Sequence, residues 1–128
     1  MTSSFLRAFP VRRLVFILSV ATRLPEEVFQ SHLRLRAVGA IDEDLSQNYA
    51  EDVVLLCEFG VVRGRDAVRK SAHRLALQLR GAKFEYLAQF VCREYAFLHW
   101  RARSPTVRID DGADSFVIRA GQIVMQSV

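Results

Sequence analysis

The chain has 128 residues, 51% of them hydrophobic, and a formal charge of +4 at pH 7. That length sets one domain and that apolar content sets a packed core, which excludes a disordered or low-complexity chain. Arg7, Arg12, Arg13 and Arg23 carry the whole positive excess, and basic and acidic residues balance from Pro25 onward, so the charge marks no nucleic-acid platform.

Residues 1–24 stand apart as a basic and apolar leader. Three arginines precede an apolar run from Leu14 to Ala21, with small residues at Ser19 and Ala21. This is the outline of a signal peptide, and the run is far short of the roughly 18 residues of a membrane span, so no stable membrane insertion is expected. A cleaved signal, an accessory helix and an over-long translation start all fit. Cys57 and Cys92 fall in no metal or redox spacing and read as free thiols of a reducing compartment. The expected location is cytoplasmic, or secreted if the leader is a signal.

The domain proper spans 25–128. Pro25 opens a first helix, with Glu26 and Glu27 complementing its positive end and Val28, Phe29, Leu33, Ala37 and Ala40 forming its apolar stripe. His32 borders that stripe, and Gly39 breaks the helix. Asp42 caps a short second helix, with Glu43 and Asp44 in its first turn and Leu45 and Tyr49 on its apolar side. Val53 to Cys57 reads as a strand covered on both faces, and Gly60 to Gly64 as a loop. A third helix starts at Asp66, places Val68, Ala72, Leu75, Ala76 and Leu79 on one face, and ends at Gly81.

Strands follow. Phe84 to Cys92 is one. Glu94 to Arg103 is the next, with Ala96, Leu98, Trp100 and Ala102 on one face and Tyr95, Phe97, His99 and Arg101 on the other. Thr106 to Arg119 is a long strand bent at Asp111-Gly112. A tight turn at Ala120-Gly121 leads into Gln122 to Val128. Helices gathered against one antiparallel sheet define an α+β domain. In the long strand Asp114 shares a face with Phe116 and Ile118, which sets a carboxyl either at a wet strand end or in a cavity.

Asn48-Tyr49-Ala50-Glu51-Asp52-Val53, Gly64-Arg65-Asp66-Ala67-Val68 and Asp111 to Ile118 with Gly121 together resemble the nuclear-transport-factor-2-like superfamily, and within it the SnoaL-like group. The resemblance implies a conical fold, three helices packed on a strongly bent antiparallel sheet, an apolar internal pocket, and a homodimer through the outer sheet face. It implies no cofactor. By analogy with ketosteroid-isomerase-like members, it also implies a base position at Cys57 with Glu58 beside it, a helix donor at His32 and a late acid at Asp114. Only Asp114 keeps the family's residue type. The last strand is short against the family's pattern, which implies a cone left partly open.

The candidate catalytic residues are therefore Asp114, His32 and Glu58. A buried Asp114 would hold its proton and polarise an oxygen, and His32 or Glu58 would move a proton. Tyr49, Cys57, Phe116, Ile118 and His99 are candidate ligand contacts. Strand alternation sets Glu58 opposite Cys57, so only one of them should face the pocket. The three histidines form no metal pattern. The expected activity is binding of a small hydrophobic molecule, with cofactor-free isomerase or cyclase-type proton transfer. The alternative is a non-catalytic dimerising module of the same fold.

Overall fold

The computed structural model describes residues 22–128; the leader up to residue 21 lies outside them. The elements run α1 (Pro25–Ala37), α2 (Ile41–Asn48), β1 (Tyr49–Cys57), β2 (Gly60–Arg63), α3 (Arg65–Gln78), β3 (Lys83–Cys92), β4 (Tyr95–Arg103), β5 (Arg108–Arg119) and β6 (Gln122–Ser127). The strands form one six-stranded sheet in the order β2-β1-β6-β5-β4-β3. Every neighbouring pair is antiparallel except β1 with β6. The class is α+β, with the helices against one face of a curved sheet.

The curvature has local causes. Register shifts interrupt four of the five ladders, and each extra residue bends and twists its strand. The shift in the β4–β5 ladder lies between Trp100 and Ala102, with Trp100 opposite Gly112 and Ala102 opposite Ile109. Asp110 and Asp111 thus face Arg101 alone, one residue in excess on β5, next to the bend expected at Asp111-Gly112.

The core sits between α1, α2 and the inner sheet face. Val28, Phe29 and Leu33 of α1 and Leu45 of α2 pack on Val53, Leu55, Leu98, Phe116, Ile118 and Ile123. Phe116 meets the rings of Phe29 and His32 edge-on, at centroid distances of 5.4 and 5.1 Å. The alternation read in β4 is the one observed: Ala96, Leu98, Trp100 and Ala102 are buried.

Several local readings are corrected. Gly60–Arg63 is a strand rather than a loop, because it pairs antiparallel with Val54–Cys57 of β1. In that stretch of β1 only one face is covered: Val53 and Leu55 are buried, whereas Leu56 is 39% exposed. The α1 stripe also stops at Leu33, since Ala37 is exposed. In α3 only Val68 is buried, although Ala72 and Leu75 share its apolar face. Val68 packs into the core, whereas Ala72 and Leu75 beyond it face a cavity.

Candidate functional site

The cavity has two lobes. The larger, about 410 Å³, lies between α3 and the inner faces of β1 and β5, with Leu55, Val68, Leu75 and Ile109 as apolar walls and Glu58 and Phe59 among its lining. The smaller, about 270 Å³, lies between α1, α3 and the β3–β4 pair, with Leu33, Ile41, Phe84, Tyr86 and Leu98 as walls. Arg36, Ala72, Leu75, Trp100, Asp114 and Gln126 line both lobes. The polar residues of the site therefore sit where the lobes meet.

Asp114 reaches this junction from the inner face of β5. Its Oδ1 accepts from Trp100 Nε1 at 3.1 Å and its Oδ2 from Gln126 Nε2 at 3.2 Å. Gln126 Oε1 in turn accepts from the Tyr49 hydroxyl at 2.6 Å. Burial pushes the Asp114 carboxyl above the usual carboxylate range, and the bonds from Trp100 and Gln126, with the charges of His32 and Arg36, offset this only in part. Burial disfavours the charged form, so the carboxyl keeps its proton further up the pH scale.

The second acid behaves in the opposite way. Asp44 is fully buried, and its oxygens accept from His32 Nδ1 at 2.8 Å, Arg36 Nε at 2.6 Å and Asn48 Nδ2 at 2.9 Å. Burial raises the Asp44 carboxyl, but the hydrogen bonds and charges of His32, Arg36 and Asn48 outweigh it and hold the group below its ordinary value. The spacing explains the assembly. His32 and Arg36 are four apart on α1, Asp44 and Asn48 four apart on α2, so each pair shares a helix face. Asn48 also donates to Ser31 and accepts from Arg23.

This network sets the chemistry of His32. Because Asp44 accepts at Nδ1, the hydrogen of a neutral ring sits there and Nε2 carries the lone pair. His32 lines the smaller lobe and its ring edges Tyr49 and Phe116. Two carboxyls of opposite tendency therefore serve one cavity. One is fixed as an anion behind a histidine, and the other is kept toward its acid form at the cavity wall.

The other sequence candidates divide. Cys57 and Glu58 both line the larger lobe. The alternation argument against this fails because β1 stops at Cys57 and Glu58 lies in the turn. Phe116 and Ile118 share the Asp114 face but line neither lobe: both are 1% exposed and packed into the core. Tyr49 is likewise buried behind Gln126 and lines neither lobe, touching the site through its hydroxyl on Gln126 and its ring against His32. His99 lies on the outer sheet face, opposite Trp100 in the strand alternation, where it bonds Asp111 at 3.0 Å. Among the described residues no group of three or more His, Cys, Asp and Glu could hold a metal ion, and no helix is long and apolar enough to cross a membrane.

Sequence reasoning missed Arg36, Asp44, Trp100 and Gln126. Asp44 reads as a solvent-facing acid of a first helical turn, and only its partner on another helix reveals it as buried. The paired four-residue spacings were the available signal.

A family model described as a SnoaL-like domain matches residues 32–126. No curated protein matches the chain significantly. Solved structures of the same fold include an NTF2-like protein of unknown function from Mesorhizobium loti (18% identity, 80% of this chain and 87% of that one, TM-score 0.68). A provisionally assigned polyketide cyclase from Sinorhizobium meliloti is similar at 18% identity over 79% of this chain and 92% of that one, with TM-score 0.64. A de novo designed protein with a curved β-sheet reaches TM-score 0.67 at 14% identity, over 80% of this chain and 81% of that one. At these identities the likeness is one of fold alone.

Proposed function

The chain belongs to the SnoaL-like domain family, and from that premise we propose that it binds a small hydrophobic molecule in its two-lobed cavity and moves a proton on it without a cofactor. The observation that carries this reading is a half-buried carboxyl, Asp114, raised by desolvation above its ordinary range at the junction of two apolar lobes. A protonated carboxyl there donates a hydrogen bond to a carbonyl oxygen of the ligand. His32, held through Nδ1 by Asp44, takes a proton at Nε2 from the adjacent carbon and returns it to a different atom. The electron pair of the broken C–H bond moves into the enol, so the sequence needs no external oxidant or reductant. Glu58, exposed at the lining of the larger lobe, is the alternative proton carrier. The Sinorhizobium meliloti neighbour assigned as a polyketide cyclase accords with proton transfer beside carbonyls.

The test is deuterium exchange from D₂O into enolisable aryl ketones, followed by NMR. Exchange faster than buffer, reduced roughly a hundredfold in Asp114→Asn, is the expected result. Equal exchange for parent, variant and buffer would remove the catalytic reading.

A second reading, a non-catalytic dimerising module, draws on the outer sheet face. Phe90, Tyr95 and Phe97 are exposed there, with Phe90 and Phe97 stacked at 6.4 Å. Exposed aromatic patches of this kind mark association surfaces. The fold recurs in a de novo designed protein with a curved β-sheet, and a shared fold does not by itself imply a shared activity. Sedimentation of the parent against Phe97→Arg tests the homodimer: a dimer that dissociates in the variant supports it, and a monomeric parent removes it.

A further inference from the structure

The proton-transfer reading uses Asp114 and His32 and leaves Arg36 without a task, although it is the one arginine that lines both lobes among the described residues. We propose that Arg36 anchors the ligand, and that the cavity is selective for apolar molecules ending in a single carboxylate. This inference rests on the cavity being a ligand site.

Four observations support it. The Arg36 side chain is 22% exposed, so it reaches the cavity without being a surface group. Its Nε is committed to Asp44 at 2.6 Å, and Asp44 is itself fixed by His32 and Asn48. The guanidinium is therefore oriented before any ligand arrives, and binding costs little side-chain entropy. The guanidinium also donates to the Tyr49 hydroxyl, which passes its own hydrogen to Gln126. With Nε on Asp44 and one N–H on Tyr49, the remaining N–H groups of the planar guanidinium are the donors for a carboxylate.

The surroundings favour one anion rather than none or two. Ala72, Leu75 and Trp100 provide apolar wall around the junction, where a charge-assisted bond is stronger than in water. Asp114, the acid that shares the junction, is biased by burial toward its neutral form, which lowers repulsion toward an anionic oxygen. Glu58 lines the larger lobe and is exposed, so a second negative group toward that side is disfavoured. Arg74 lines the same lobe, but its guanidinium lies over the Phe59 ring at 4.2 Å.

The experiment uses the full chain and two probes of one shape, phenylbutyrate and its amide phenylbutyramide, titrated at neutral pH. Trp100 is the only tryptophan and lines both lobes, so its emission reports cavity occupation directly. The acid is expected to bind at least about tenfold tighter than the amide, the range of a charge-assisted hydrogen bond. In Arg36→Gln the two probes should bind alike. That variant leaves Asp44 short of a cation and could fail to fold, so Arg36→Lys is the second variant: its single ammonium is drawn to Asp44, and the preference for the acid should shrink severalfold. Equal binding of both probes by the parent would overturn the anchor while leaving the cavity reading in place. A preference undiminished in Arg36→Lys would overturn it as well. No Trp100 response to either probe would remove the cavity reading and this inference together.

Discussion

Gly112→Ala joins the packing of the sheet to the site in one methyl group. Gly112 pairs with Trp100 across the β4–β5 ladder, and a Cβ built on it would lie 2.5 Å from Trp100 Cζ2 and closer still to Cε2 and Cδ2. Its backbone is ordinary strand, so the conflict is steric rather than conformational. The obstacle is a rigid indole that is 9% exposed and bonded to Asp114, so it cannot yield like the tip of a flexible chain. Overpacking of this kind costs about 1–3 kcal/mol. Loss of the Trp100–Asp114 hydrogen bond adds about 1 kcal/mol, and the lower backbone entropy of unfolded Ala returns up to about 1 kcal/mol. A net loss of about 1–4 kcal/mol follows, and a fall in Tm of roughly 5–15 °C for a domain of this size. Urea titration followed by Trp100 emission measures the loss and reports the indole's displacement in the same curve. Ala113→Ser, at the exposed next position, is the control and should stay within about 0.5 kcal/mol. A Gly112→Ala protein as stable as the parent, with unchanged emission, would refute the close packing of Trp100 on β5 and the position it gives Asp114.

Three further changes probe the two acids. Asp44→Asn should cost about 2–3 kcal/mol at pH 7, below the figure for a fully buried pair because Arg36 is partly open. Asp44 is held below its ordinary value, so its contribution is present above the unfolded value, about 3.9, and is lost as pH falls through the folded one; paired urea titrations should converge in acid. Asp114→Asn carries the opposite sign. Its carboxyl is raised, so the fold loses stability as pH rises through the folded value, and the variant should equal or exceed the parent at pH 7 and lose that advantage near pH 3. Tyr49→Phe should cost about 1–2 kcal/mol by urea titration, since Gln126 Oε1 is left buried without its donor.

Much of the fold was legible because it depends on local pattern. The alternation Ala96, Leu98, Trp100, Ala102 fixes the inner face of β4, and Pro25 and Gly81 stand at element boundaries. The turn at Ala120-Gly121 follows from residues that take positive φ, 49° and 74°. The site was only partly legible. Asp114 could be placed on the inner face, but nothing local distinguishes it as a cavity wall from Phe116 and Ile118 as filled core two and four residues on. That difference is made by Phe29 and His32 packing on Phe116, contacts from a distant helix. Asp44 was opaque for the same reason: its burial depends on His32 and Arg36 of α1. Glu58 was misjudged because the period-two rule holds only while the strand lasts. β2 was missed because two glycines bracketing Val61-Val62-Arg63 read as loop signals, whereas Gly60, with φ of 104°, lets the chain reverse and pair.

The central claim is that Asp114 is a carboxyl kept in a ligand cavity, and its own titration tests this most directly. Carboxyl ¹³C NMR, assigned with Asp114→Asn, would follow it across pH in the free protein and with saturating phenylbutyramide. The expected midpoint lies above the ordinary aspartate value, about 3.9, and moves further up when the apolar probe displaces water from the junction. A midpoint at or below the ordinary value, unmoved by the probe, would contradict that claim.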